Sequence, residues 1–107
     1  MELSIADLKQ LIGTTNQQKS HSFVVGEKYL IRTVTLYYTG QLVSVTDSDL
    51  VLKNAAWIAN TGRFADCLRT GEFSEVKPYP DDKAVIINRG AIVDAVQWDH
   101  ALPRNQK

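Results

Sequence analysis

Residues 29–46 read YLIRTVTLYYTGQLVSVT, and this stretch decides the predicted fold. It is rich in β-branched and aromatic residues, which favour strands. The run is too long for one straight strand in a small domain. Gly40 lies in its interior, where glycine is typical of a bulge or a sharp bend. The first strand is then either Phe23–Val25 or, if the run contains a hidden turn, the early part of the run itself.

Three further apolar segments predict strands. They are Leu50–Leu52, which can continue to Ile58, then Ala84–Ile87 and Ala91–Trp98. Residues 72–83 hold two prolines and are predicted to be irregular. In a chain of this size the sheet must close or pack on itself to cover its edges. The pattern therefore favours a mostly-β fold, a small barrel of about five strands.

Two short helices are predicted on either side of the first strands. Ser4 is a suitable N-cap and Gly13 a suitable stop for an amphipathic helix over residues 4–12. This helix is too short to be stable alone and must pack on something. The second helix covers residues 63–70, where Phe64 and Leu68 share one face that is predicted to pack on the barrel.

Length and charge limit the classes of protein. The 107 residues make one domain, 1–107, with a modest core, so association with further copies would be a natural way to bury more surface. Twelve Lys and Arg residues balance twelve Asp and Glu residues, which argues against non-specific coating of nucleic acid. Basic residues focused in one pore remain compatible with this balance. Residues 99–107 are predicted to be a polar tail.

The residue types that carry catalysis or bind metals are sparse. Cys67 is the single cysteine, which excludes an internal disulfide and fits a reducing compartment. His21 and His100 are isolated, and no glycine-rich phosphate loop occurs. We therefore predict no catalytic residue, no metal and no cofactor. The first residues do not resemble a secretory signal and no apolar run reaches membrane-spanning length, so we expect a cytoplasmic protein of a cell or of a phage-infected cell.

Two segments of the chain form a pair of motifs. The first is Gly40-Gln41-Leu42 followed by Asp47 and Leu50-Val51-Leu52. The second is Ile86-Ile87-Asn88-Arg89-Gly90-Ala91-Ile92. Together they resemble the first and second motifs of the Sm-like family, which includes Sm, LSm and Hfq-like proteins. The order of parts, including a leading helix, is similar over roughly the whole chain, and compact Sm-like proteins occur in phage genomes. The resemblance implies a strongly bent five-stranded, SH3-like barrel with an N-terminal helix, and makes residues 54–83 an insert that carries the second helix.

The resemblance also implies partners and sites. Each subunit would add its last strand to the edge of a neighbour, giving a closed homo-oligomeric ring of about five to seven subunits. The candidate interface residues are Val85, Ile86, Ile87, Ile92, Val93 and Val96. Single-stranded RNA would meet the loops around the pore, where the candidate residues are Asp47, Ser48, Asp49, Arg89 and Gly90. The apolar interface candidates fit core strands of a monomer equally well.

Several roles stay open at this point. Arg89 fits either a contact to phosphate or base, or a bridge to Asp47. Gly90 fits either close approach of RNA or an unusual φ. The 47–49 loop is short and lacks the aromatic residue and the Asn that family members carry there. This loop and the acidic insert favour an alternative, a ring that serves protein interaction or virion assembly without nucleic acid.

Two observations would separate the remaining interpretations. A basic pore rim formed by Lys53, Lys83 and Arg89 would support RNA binding. A deep apolar pocket without oligomerisation would support a third interpretation, a monomeric barrel that binds a small ligand.

Overall fold

The computed structural model describes residues 22–107, so the predicted helix at 4–12 lies outside the described part of the chain. The fold is mostly β, as predicted. The strands are β1 (Lys28–Thr33), β2 (Tyr37–Val45), β3 (Asp49–Asn60), β4 (Glu75–Pro78), β5 (Val85–Asn88) and β6 (Ile92–Gln97). One α-helix, α1 (Phe64–Thr70), follows β3, and a 3-10 turn (Arg89–Ala91) joins β5 to β6. The described residues thus form six strands in one sheet, where about five were predicted.

The long strand-forming run divides at a hidden turn. The Thr33 hydroxyl donates to the Leu36 carbonyl at 2.7 Å and accepts from the Leu36 N–H at 3.2 Å, which closes a tight connection between β1 and β2. Phe23–Val25 forms no strand, so that alternative was wrong. Gly26 has a φ of 97° in a turn just after this segment, and the Val24 N–H bonds to the Tyr29 hydroxyl at 2.9 Å.

Gly40 produces the predicted irregularity in β2. The β2–β3 register shifts between Thr39 and Gln41, on either side of this glycine. A Cβ placed on Gly40 would lie 3.0 Å from the Cβ and from one terminal methyl of Leu52. The missing side chain therefore allows β2 and β3 to approach closely where the sheet bends.

β3 is the strand that changes partners. Its first part, Asp49–Leu52, pairs with β5, whereas its last part, Ala56–Asn60, pairs with β4. Asn54, with a φ of 50°, lies between the two parts. Asparagine is among the few residues that adopt this backbone conformation readily.

Residues 54–83, the predicted insert, begin within β3, and residues 75–78, predicted to be irregular, form β4. Pro78 is tolerated because it is the last residue of this strand. The helix predicted for this region is confirmed, and Gly71 ends it with a φ of 80°.

The sheet path runs β4-β3-β2-β1-β6, and β5 pairs with β3 beside this path. Every neighbouring pair, including β3–β5, is antiparallel. Within residues 22–107, no strand pairs with the outer edge of β5 or of β6. The consecutive strands β5 and β6 therefore each have one edge that offers backbone donors and acceptors.

Two apolar clusters pack on the two faces of the sheet. The inner cluster contains Tyr29, Ile31, Leu42, Leu50, Leu52, Ala55 and Ile87. The outer cluster contains Leu30, Ala56, Ile58, Cys67, Phe73, Val76 and Trp98, and so includes one residue of α1 and one of β4. Consecutive residues of β1 alternate between the clusters, as the pleat requires. We refer to the two faces as inner and outer below.

The C-terminal residues pack on the sheet and are more than a polar tail. The Arg104 guanidinium donates to the carbonyls of Ala55 at 3.1 Å and Tyr79 at 2.6 Å, and pairs with Asp81. Lys107 exchanges two backbone hydrogen bonds with Val76 of β4. None of the helices in the described residues is long and apolar enough to cross a membrane.

Candidate functional site

The turn between β2 and β3 is organised by Thr46. Its hydroxyl accepts from the backbone N–H groups of Ser48 and Asp49, each at 3.1 Å. The backbone N–H of Thr46 donates to the Asp49 carbonyl at 2.9 Å. Threonine hydroxyls stabilise turns in this way. The turn therefore holds the side chains of Asp47 and Ser48 at the surface, where both residues are exposed.

The turn between β5 and β6 is organised by Asn88. The side-chain oxygen of Asn88 accepts from the Gly90 N–H at 2.7 Å and caps the 3-10 turn. Gly90 is not among the residues with positive φ, so the unusual φ suggested for it was wrong. A Cβ on Gly90 would lie 3.1 Å from that same oxygen, so a side chain would crowd the cap.

Arg89 joins the two turns. Its backbone N–H donates to the Ser48 carbonyl at 2.9 Å, and its guanidinium donates to the Thr46 carbonyl at 2.6 Å. Arg89 thus bonds to the backbone of the neighbouring turn and not to the Asp47 carboxylate. Together these contacts gather all five RNA-site candidates into one place. We call residues 46–49 and 88–90 the loop cluster.

The loop cluster contains one basic and two acidic side chains, Arg89 against Asp47 and Asp49. The β3–β5 ladder pairs Asp49 with Asn88 at one end and Leu52 with Val85 at the other. Lys53 lies four residues beyond Asp49 along β3, roughly 13 Å at the usual rise per residue, and Lys83 precedes β5 at the same end of the ladder. The predicted basic rim of Lys53, Lys83 and Arg89 is therefore not a single patch within one subunit.

The interface candidates divide by face. Ile87 belongs to the inner cluster of its own chain, and Val85 and Ile92 pack against that cluster. Three candidates are exposed: Ile86 at 67%, Val93 at 53% and Val96 at 45%. Ile86 lies between two inward residues and so points to the outer face of β5. Val96, opposite Leu30 of the outer cluster, lies on the outer face of β6.

Thr46 and Asn88 are the residues of the loop cluster that the sequence did not single out. A threonine ahead of Asp-Ser-Asp is a signal for a hydroxyl-closed turn, and an Asn before Arg-Gly is a signal for a helical cap. Both signals are weak because Thr, Asn and Asp occupy most polar turns. The described residues hold no group of three or more His, Cys, Asp or Glu side chains arranged to bind a metal ion.

Comparisons with protein-family models and with curated protein sequences find no match to this chain.

Proposed function

We propose that the protein assembles head to tail into a closed ring of identical subunits and binds single-stranded RNA at the loop cluster. The observation that carries the proposal is the pair of open strand edges. β5 and β6 each pair on one side only within residues 22–107, and each carries exposed apolar side chains, Ile86 and Val96. Open apolar edges are templates for strand addition between chains.

The direction of strand addition follows from the sheet path. Four antiparallel pairings separate β5 from β6, so these two strands run in the same direction within one subunit. A second copy's β5 that pairs antiparallel with β6 must therefore be turned over about an axis that lies in the sheet and is perpendicular to the strands. The outer face of the second copy's β5 then lies on the same side of the combined sheet as the inner face of β6. A parallel addition would keep the outer faces together.

Burial favours the antiparallel addition. In that arrangement Ile86 of a second copy moves to the inner face of β6, beside the groove lined by Phe23, Tyr29 and Ala95. Val96 becomes level with the inner face of the second copy's β5. Each exposed apolar side chain thus meets the core of a neighbour, whereas a parallel addition would leave both on the outer face. A head-to-tail contact of this kind closes into a ring when the rotation per subunit permits.

We assign RNA binding to the loop cluster because a ring would repeat this cluster once per subunit. Arg89 has five N–H donors, and the guanidinium bond to Thr46 uses one of them. The remaining donors suit a phosphate or the edge of a splayed base. The Ser48 hydroxyl is a further exposed polar group of the cluster. The proposed setting is the cytoplasm of a cell or of a phage-infected cell.

A second candidate function is supported by the two carboxylates. Asp47 and Asp49 lie beside Arg89 and would repel a phosphate chain, so a ring with the same architecture could serve protein assembly without RNA. This alternative shares the ring and differs in the partner.

The test measures mass and RNA uptake on one preparation. We expect light scattering to give a concentration-independent mass of several subunits, and fluorescence anisotropy to show saturable binding of a short U-rich or A-rich RNA. Arg89→Ala should weaken binding at least tenfold, since each subunit loses its cationic donor. Arg63→Ala is the matched control, because Arg63 is a basic residue just ahead of α1 whose side chain is 81% exposed.

The outcomes separate the candidates. A closed oligomer indifferent to both RNAs would move the function to protein assembly. Equal loss of binding in Arg63→Ala and Arg89→Ala would mean diffuse electrostatic attraction and would contradict the assigned site. A monomeric wild type would contradict the ring and both functions that depend on it.

A further inference from the structure

Helix α1 leaves an apolar groove on the outer face of the sheet. The groove has a volume of about 200 Å³, and its apolar lining includes Leu30, Tyr37, Phe64, Leu68 and Val96. Phe64 is 45% exposed and Leu68 is 37% exposed, although the sequence predicted that this helix face packs on the barrel. The helix buries Cys67 instead. Its most apolar residues therefore remain available beside β6.

The groove lies next to one of the open edges. Val96 belongs both to the groove lining and to β6, whose outer edge pairs with no strand of the described chain. Arg32 and Asp94 form an ion pair of 2.6 Å in the same lining. The apolar surface of the groove is thus continuous with the edge to which a second copy would add.

Strand pairing alone is too small for a stable interface. β5 offers four residues and β6 six, whereas stable interfaces take about 20 to 30 residues and roughly 800 Å² from each partner. More surface must therefore be contributed from beside the strands. On the antiparallel geometry, the inner face of the second copy's β5 lies on the same side of the sheet as Val96. The first residue of that strand, Val85, then lies near the end of β6 and over the groove.

We infer that the α1 groove is the second contact of the subunit interface. It is occupied by the Val85 end of β5 from a second copy of this chain. The inference rests on the proposed ring and adds to it a role for α1. Phe64 and Leu68 would lie against the second copy and exclude water from the edge of the β5–β6 ladder. The helix would then help to select this chain as its own partner, because strand edges by themselves pair with little selectivity.

The test places a charge in the groove and measures subunit dissociation of the full-length protein. Leu68→Glu should raise the dissociation constant measured by sedimentation at least tenfold, because association would bury an unpaired carboxylate. Phe64→Glu should do the same and serves as the second variant if one of them fails to fold, which circular dichroism reports. Ala65→Glu is the matched control, since this substitution adds the same charge to the same helix at a residue outside the groove lining.

The outcomes distinguish this inference from the ring itself. If the wild type is oligomeric and the groove variants keep its dissociation constant, the ring stands and the groove has no role in it. If the groove variants keep the mass of the wild type but have a lower melting temperature, the groove is covered within its own chain. This result would also overturn the inference. A monomeric wild type would remove the ring first.

Discussion

At the scale of single residues, Gly40 is a position where buried neighbours leave little room for a side chain. The two nearest atoms to an added Cβ both belong to Leu52 at 3.0 Å, and the Ala55 Cβ follows at 3.3 Å. Both neighbours are fully buried and have little room to move. We expect Gly40→Ala to lower the free energy of unfolding by about 1–3 kcal/mol through overpacking. Urea denaturation followed by tryptophan fluorescence measures this change.

The control for this prediction lies in the same strand. Val43 is 44% exposed, and Val43→Thr keeps a β-branched side chain, so its effect should stay within about 0.5 kcal/mol. If Gly40→Ala were as mild as the control, β2 would tolerate a side chain at its bend. The close approach to Leu52 would then not explain the glycine.

At the scale of elements, the β1–β6 pairing carries a titrating ion pair. Arg32 and Asp94 lie directly opposite each other, joined by hydrogen bonds of 3.1 and 2.6 Å. The hydrogen bond from Arg32 holds the pKa of Asp94 below its ordinary value of 3.8. A carboxylate whose pKa is lowered by folding stabilises the fold above its unfolded pKa and loses that contribution as the pH falls through the folded value.

Asp94→Asn should therefore lower the melting temperature at neutral pH, and the difference from the wild type should shrink as the pH falls through the lowered pKa of the folded Asp94. The effect should be small because the pair is exposed to solvent. Thermal melts from pH 7 downward measure the difference between variant and wild type. Asp99→Asn, at an exposed carboxylate just beyond β6, is the control and should track the wild type. A difference that persists undiminished at low pH would assign the effect to packing instead.

Across the whole molecule, the sequence predicted what depends on local pattern and failed where distant segments compete. The bend at Gly40 and the helix ended by Gly71 were predictable because glycine acts locally. Five of the seven residues of the loop cluster were predicted to lie together, because both its parts lie at strand ends, whereas Thr46 and Asn88 were not singled out. The hydrogen-bond partner of Arg89 could not be predicted, because Thr46 and Asp47 are adjacent in sequence. Which of the Thr46 carbonyl and the Asp47 carboxylate lies within reach depends on the folded turn. β4 was missed because its pairing with β3 outweighs the weak propensity of a segment that contains proline.

The edge of β5 allows the whole-molecule arrangement to be tested without disturbing the fold. Ile86 is 67% exposed, so a lysine there should leave the subunit folded with nearly unchanged stability. On the antiparallel geometry the same lysine would enter the core of a neighbour, and a charge buried without a partner is strongly unfavourable. Ile86→Lys should therefore give a folded monomer by light scattering. Val43→Lys adds the same charge to β2, which has strands on both edges, and should remain oligomeric. Dissociation by both variants would indicate a general charge effect, whereas an oligomer that survives Ile86→Lys would have to assemble through a surface other than the β5 edge.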